Sequence, residues 1–204
     1  GAYGIRRSGD RIDNFTAKSG NRALTVLKID PLTWSIDTDG IKSMQVSYRI
    51  KQRPRRFGSR ATGDNKTGMQ VSGPGTYMYV VGQKDRPVTV RYELPKGWKL
   101  ANGLLTTADP MLRRARDYDT FIDAPTIFGI FKEYEFAVNG TPFQCVFFEN
   151  QQSYDFDIEA FVDLTKRIVT YQGEMFGSFP FPNYVFLFTL PGGGGLEHLN
   201  STSI

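Results

Sequence analysis

The sequence predicts a mainly β protein with a small α/β part at its carboxyl end, and three observations support this class. Aromatic residues make up 14% of the 204 residues, which favours pleated, half-buried surfaces. As far as Asn150, turn-forming clusters separate short alternating runs about every ten residues. Beyond Asn150 the apolar period changes from two to between three and four. We therefore predict an antiparallel β-sandwich-like domain over residues 1–152 and a second part over residues 153–204.

The strands of the first part are located by alternation of apolar and polar side chains. The runs identified in this way are Leu24 to Ile29, Thr33 to Ile36, Ser43 to Ile50, Thr76 to Val81 and Val88 to Leu94. The segment from Leu112 to Tyr118 is too short and too charged to assign.

A hairpin is predicted near the end of the first part. Tyr134, Phe136 and Val138 alternate up to the dipeptide Asn139-Gly140, which favours a two-residue turn. The return strand then runs from Thr141 to Glu149.

The second part begins with an amphipathic helix from about Asp155 to Phe176. Apolar and neutral residues at spacings of three and four form its predicted buried face: Ile158, Phe161, Val162, Thr165, Ile168, Val169 and Gln172. Gly177 and Pro180 end the helix. The nearly continuous apolar run from Tyr184 to Leu190 then predicts a strand buried on both faces.

The charge and cysteine content narrow the possible functions. The formal charge is +4, and the excess of basic residues is concentrated in one segment, at Arg49, Lys51, Arg53, Arg55, Arg56 and Arg60. Alternation places Arg49 and Lys51 on the solvated face of a strand, so we expect no nucleic-acid partner. No run is long enough to predict a membrane span.

Cys145 alternates with Phe143 and Phe147, which predicts a buried apolar side chain.

The residues needed for a complete active site are not found in this chain. His198 is the single histidine, so a zinc site built on two histidines cannot be assembled. For the same reason no Ser-His or Cys-His pair can be built on a second histidine. The four glycines from Gly192 are not followed by Gly-Lys-Ser/Thr, as a phosphate-binding loop requires. We therefore expect no catalytic residue, no metal ligand and no cofactor within these 204 residues.

The segment that follows these glycines leaves two interpretations open. Glycines expose their backbone to close approach by another chain, and Glu197 could then bind a cation such as the α-ammonium of a peptide. The alternative is a flexible tip at the edge of a sheet.

Several segments occur in the order typical of one peptidase family. They are Gly1-Ala-Tyr-Gly-Ile-Arg6, Leu94-Pro-Lys-Gly-Trp98, Tyr118-Asp-Thr-Phe-Ile-Asp-Ala-Pro125, Phe176-Gly-Ser-Phe-Pro180, Tyr184-Val-Phe-Leu187, Gly194-Gly-Leu-Glu-His198 and Asn200-Ser-Thr202. As a set they resemble the glycyl aminopeptidase family of zinc metallopeptidases. Members of that family join an amino-terminal β-domain to a thermolysin-like catalytic domain. The resemblance implies that residues 153–204 are the first helix and strands of that catalytic domain.

The resemblance also implies roles for single residues. In a related superfamily the corresponding motif is Gly-Ala-Met-Glu-Asn, and its glutamate binds the amino terminus of the substrate. Carried over, Glu197 would be that anchor, and Gly194 and Gly195 would be the backbone that faces the substrate. His198 replaces the asparagine, and we expect it to make a structural hydrogen bond.

The family's zinc motif, His-Glu-x-x-His, is expected after Ile204. We therefore expect this chain to be an inactive fragment of a zinc aminopeptidase whose substrate is a peptide with a free amino terminus. The alternative is a non-catalytic β-sandwich module that binds a protein or a carbohydrate. The coding sequence downstream of Ile204 distinguishes the two, because only the peptidase requires His-Glu-x-x-His there.

Overall fold

A computed structural model describes residues 8–51, 67–149, 156–190 and 194–204 of the chain. The described residues are mostly β, in several antiparallel sheets and one mixed sheet, which confirms the predicted class. The contacts divide the chain into two compact units, Gly1–Ala61 and Thr62–Ile204. The sandwich-like packing expected of the first part stays a prediction.

The first unit contains a three-stranded sheet and a hairpin. Its strands are β1 (Ile12–Ser19), β2 (Arg22–Ala23), β3 (Val26–Asp30), β4 (Thr33–Ile36) and β5 (Gln45–Ile50). The sheet has the order β2-β1-β5, and β3 pairs with β4. The ring of Phe15 stacks on Trp34 and on Tyr48, with centroids 4.9 and 6.4 Å apart, and this aromatic column joins the hairpin to the sheet.

The position of the basic strand agrees with the sequence. Arg49 and Lys51 are exposed, whereas Val46, Tyr48 and Ile50 are half-buried. The solvated face predicted for Arg49 and Lys51 is therefore confirmed. The remaining arginines of the basic cluster, from Arg53 to Arg60, lie outside the described residues.

The described residues of the second unit form three sheets and two α-helices. Its elements are β6 (Gly68–Val71), β7 (Val88–Arg91), β8 (Lys99–Ala101), β9 (Leu105–Thr106), β10 (Leu112–Ala115), α1 (Tyr118–Ile122), β11 (Thr126–Gly129), β12 (Lys132–Val138), β13 (Thr141–Glu149), α2 (Ile158–Phe176), β14 (Tyr184–Leu190), β15 (Leu196–Glu197) and β16 (Ser201–Ser203). The strand orders are β7-β10-β9, β6-β11-β8 and β12-β13-β14-β16-β15.

The five-stranded sheet supports the segment with the predicted site. The hairpin β12–β13 turns at Asn139 and Gly140, whose φ angles of 51° and 78° fit the expected two-residue turn. Strand β13 then pairs with β14 in parallel, and β14 pairs with β16 in parallel. Val146 and Leu187, on the two central strands, are fully buried, so the middle of this sheet is part of the core.

Helix α2 begins at Ile158, later than the predicted start, and ends at Phe176 as predicted. The carboxylate of Asp157 accepts a hydrogen bond from the backbone N–H of Ala160 at 2.9 Å and caps the first turn. At the other end Gly177 adopts a φ of 78°, which favours glycine. The predicted buried face needs a correction, because Ile168 is 50% exposed and Gln172 is exposed.

Two further assignments differ from the sequence prediction. The predicted strand Thr76 to Val81 is wrong, because this segment makes no strand and follows a 3-10 turn, Gly73–Gly75. Its tyrosines instead pack on α1: Tyr77 contacts Phe121 and Tyr79 contacts Tyr118, with centroids 4.4 and 4.9 Å apart. The unassigned segment from Leu112 forms β10 and leads into α1.

The predicted boundary between residues 152 and 153 lies in the stretch 150–155, which is outside the described residues, and it stays a prediction. The strands on either side, β13 and β14, belong to one sheet, in register from Phe143 opposite Tyr184 to Glu149 opposite Leu190. None of the described helices has the length and apolar character required to cross a membrane.

Candidate functional site

The predicted anchor, Glu197, lies on the last strand of the five-stranded sheet. Strand β15 pairs with β16 only, with Leu196 opposite Ser203 and Glu197 opposite Thr202. Glu197 is exposed, and β15 has no neighbour in the sheet on its outer side within the part of the chain described. The carboxylate therefore sits beside backbone groups that an extended chain could pair with.

The two glycines before β15 differ in their constraints. Gly194 has a φ of 78°, a conformation that side chains other than glycine rarely adopt. At Gly195 an added Cβ would lie 3.7 Å from Cγ1 of Ile204, an ordinary van der Waals distance. The packing of the described residues therefore does not require glycine at position 195, and its backbone is exposed.

The residue after the predicted anchor is held by a carboxylate from another element. Nδ1 of His198 lies 3.0 Å from Oδ1 of Asp123, and the backbone N–H of Leu199 donates to Oδ2 of the same carboxylate at 2.7 Å. Because a carboxylate is an acceptor, the bonded tautomer carries its hydrogen on Nδ1. The expected structural hydrogen bond of His198 is thus confirmed. We call Asp123, His198 and Leu199 the turn clamp.

The hairpin of β15 and β16 is also tied down on its inner side. The side chain of Asn200 donates to the carbonyl of Gly103 at 2.8 Å, and Ser201 is only 1% exposed. An added Cβ at Gly103 would lie 2.7 Å from the carbonyl oxygen of Asn200, so the two backbones approach closely here. A shallow depression that is partly open to solvent is bordered by Gly103, Thr120, Asp123 and Asn200.

The residues that the structure describes do not fit a zinc site. They contain no group of three or more His, Cys, Asp or Glu side chains that could hold a metal ion. His198 is the single histidine of the sequence. Structural and catalytic zinc sites need at least three protein ligands, so no step of a reaction is assigned to a metal on these residues.

Analysis of the sequence did not identify Asp123 as part of the site. The structure brings together two of the segments on which the family resemblance rests, Tyr118–Pro125 and Gly194–His198, because Asp123 binds His198. The signal available in the sequence was the acidic residue Asp123 within the first segment. Its partner, His198, is 75 residues away in the chain, so the sequence did not show that the two are in contact.

Comparison with known protein families gives one match. The family model described as the peptidase M61 N-terminal domain matches residues 1–130. A search of curated proteins found no significant match.

Solved structures give further similarities. An aminopeptidase N family protein from Idiomarina loihiensis is similar over 100% of this chain, with 27% identity and a TM-score of 0.82. A two-domain M1 zinc metallopeptidase with bound L-arginine is similar over 95% of this chain, with 12% identity and a TM-score of 0.50, which is a likeness of fold alone. The chain spans 35% of the length of the first protein and 50% of the second.

Proposed function

This chain belongs to the family of peptidase M61 N-terminal domains, and from this we propose that it is the amino-terminal part of a zinc-dependent aminopeptidase. The expected resemblance to a peptidase family is confirmed by the match, whereas the role of single residues belongs to the proposal. In the proposal Glu197 binds the α-ammonium of a peptide, and the backbone at Gly194 and Gly195 faces that peptide. The name of one similar structure includes zinc. In the proposal, the zinc ion of the full-length enzyme is held by residues other than those described here.

The observation that carries the proposal is the exposed carboxylate of Glu197 on an edge strand. An extended peptide can add to the free edge of a sheet through backbone hydrogen bonds. A carboxylate at the end of that edge can then receive the terminal ammonium group in charge-assisted hydrogen bonds. Such a contact places the substrate and does not break a bond, so Glu197 acts by positioning.

The test is the kinetics of the full-length enzyme that carries this chain. A hydrogen-bonded charge pair in a partly dehydrated site is worth roughly 2–4 kcal/mol, so Glu197→Ala should lower kcat/KM for peptides with a free amino terminus by about 30- to 1000-fold. Peptides with a blocked amino terminus lack the cation and should lose much less. Glu197→Gln keeps an acceptor oxygen without the charge and should lie between. Zinc content should stay the same.

Two companion variants sharpen the comparison. Glu135 is also an exposed glutamate, but it lies on β12 at the opposite edge of the same sheet, so Glu135→Ala should leave both substrates unaffected. Gly195→Ala should leave the melting temperature unchanged, because the added methyl group has room within the protein. It should still weaken peptide turnover, because in the proposal the methyl group lies where the backbone of position 195 faces the peptide. Equal losses on free and blocked peptides after Glu197→Ala would overturn the proposed anchor, and so would a loss of zinc.

A further inference from the structure

We propose that Asp123 is a positioning residue for peptide binding, acting through the turn clamp to hold Glu197 in its orientation. This inference rests on the proposed function, because it assigns Asp123 a role in the site that Glu197 would form. The inference follows from two hydrogen bonds. His198 and Leu199, the two residues after Glu197 in the chain, both bond to the carboxylate of Asp123.

The strand that carries Glu197 has little support of its own. β15 consists of two residues, both exposed, and among the described residues it pairs with β16 alone. Short exposed edge strands with one neighbour open readily, so the direction of the Glu197 side chain depends on what holds the adjacent turn. The backbone N–H of His198 donates to the carbonyl of Ser201 at 2.9 Å and closes the turn, and Asn200 at its far end is bonded to Gly103. The end of the turn next to Glu197 needs a tie of its own.

The turn clamp supplies that tie from a firmly packed element. Asp123 directly follows α1, whose Tyr118 and Phe121 side chains are buried in one cluster with Leu104 and Ala115. The carboxylate accepts the Leu199 N–H at 2.7 Å, within the range of a charge-assisted hydrogen bond. The His198 side chain is 13% exposed, so this side of the clamp is largely shielded from water.

The position of Asp123 is not explained by the stability of its helix. It is the C-cap residue of α1, where the carbonyl ends of a helix carry partial negative charge and an acidic side chain is unfavourable. The contacts that its carboxylate makes are instead with the segment that follows Glu197. A residue placed against local preference but bonded to a site segment fits a functional role better than a stabilising one.

The variants are chosen to separate positioning from folding. Asp123→Ala removes both acceptor oxygens, and Asp123→Asn keeps one acceptor but replaces the other with an N–H₂ group. His198→Ala removes the donor, whereas His198→Asn keeps one, because the amide nitrogen of asparagine is attached to Cγ as Nδ1 of histidine is. Asp119→Asn is the matched control: Asp119 lies on the same helix, and its carboxylate pairs with Lys84 at 3.3 Å.

The measurement is the ratio of kcat/KM for free over blocked peptides, in the full-length zinc-loaded enzyme. Asp123→Ala should lower this ratio about tenfold, and Asp123→Asn and His198→Ala should lower it about three- to tenfold. His198→Asn and Asp119→Asn should stay within about twofold of the unchanged enzyme. In a background of Glu197→Ala, Asp123→Ala should cause no further loss on free peptides, because Asp123 acts through Glu197.

Each alternative result has a definite meaning. Equal losses on free and blocked peptides, or the same loss with and without Glu197, would make Asp123 merely structural and overturn the inference. If Asp123→Ala fails to fold, Asp123→Asn and His198→Ala carry the same comparison. A lowered ratio for Glu197→Ala with normal ratios for the Asp123 and His198 variants refutes this inference alone. An unchanged ratio for Glu197→Ala refutes the proposed function and this inference with it.

Discussion

Cys145 shows how a single side chain is controlled by its surroundings. It lies on β13, is 0% exposed, and packs in one cluster with Phe147 and Phe188. Burial raises the pKa of its thiol to about 12, because the thiolate would lose its hydration there. Cys145 is therefore a thiol at neutral pH and serves packing, as its alternation with Phe143 and Phe147 predicts.

We expect thiol reagents to label Cys145 only as fast as the protein unfolds. The chain has one cysteine, so the reaction reports on this residue alone. Because the folded pKa is raised, this thiol contributes stability that is complete below the unfolded pKa of about 8.5 and is lost as the pH rises towards the folded value. The measurement is labelling at pH 8 with increasing urea, and rapid labelling without denaturant would contradict the burial.

Among the elements, helix α1 is stabilised by an N-cap residue, Asp117, at its start. The carboxylate of Asp117 accepts the backbone N–H of Thr120 at 2.7 Å, which satisfies one of the free donors of the first turn. Hydrogen bonds from the side chain and the backbone of Thr120 lower the pKa of Asp117. Since Tyr118 and Phe121 anchor α1 in the core, the cap also supports the position of Asp123.

Asp117→Ala should lower the free energy of unfolding by about 1 kcal/mol at pH 7. The folded pKa lies below the unfolded value of about 3.9, so the contribution of the carboxylate is present above pH 3.9 and is lost as the pH falls through the folded pKa. Urea unfolding of both proteins between pH 7 and pH 3 measures this, and the difference should shrink at the acid end. Asp119→Ala, in the same turn without the capping bond, is the control. A constant difference at all pH values would argue against the ionised cap.

At the scale of the whole molecule, the proposal assigns to this chain a surface for the substrate of a peptidase and assigns the cleaving groups to other residues. It spans 35% of the similar aminopeptidase N family protein, and it matches a family of amino-terminal domains over residues 1–130. Its five-stranded sheet extends from β12 to the edge strand with Glu197. In the proposed enzyme this sheet carries the peptide, while the metal and the general base come from other residues.

The isolated 204-residue chain should bind no stoichiometric zinc and show no aminopeptidase turnover. The reason is chemical: a zinc site needs at least three protein ligands, the sequence contains one histidine, and the described residues bring together no group of three possible ligands. Metal analysis after dialysis against zinc, together with an aminoacyl reporter assay, tests this. One tightly held zinc per chain, or turnover that chelators abolish, would refute it. The full-length enzyme that the proposal names is the positive control.

The elements with local signals could be predicted from the amino-acid sequence alone. The alternation up to Asn139-Gly140 located the β12–β13 hairpin, and Gly177 marked the end of α2, because turn residues and periodicity act within a few positions. The apolar run from Tyr184 to Leu190 gave β14 with its bounds. The candidate anchor Glu197 came instead from the resemblance to a peptidase family, and its role stays a prediction.

Which of these elements contact one another could not be predicted from the sequence and is seen in the structure. It pairs β13 with β14 in parallel, with α2 between them in the chain. It also keeps Thr76 to Val81 out of the sheets, where Tyr77 and Tyr79 pack on α1. It also brings Asp123 to His198 across 75 residues. Long-range contacts of this kind depend on the summed packing of many side chains, and no short window of sequence contains both partners.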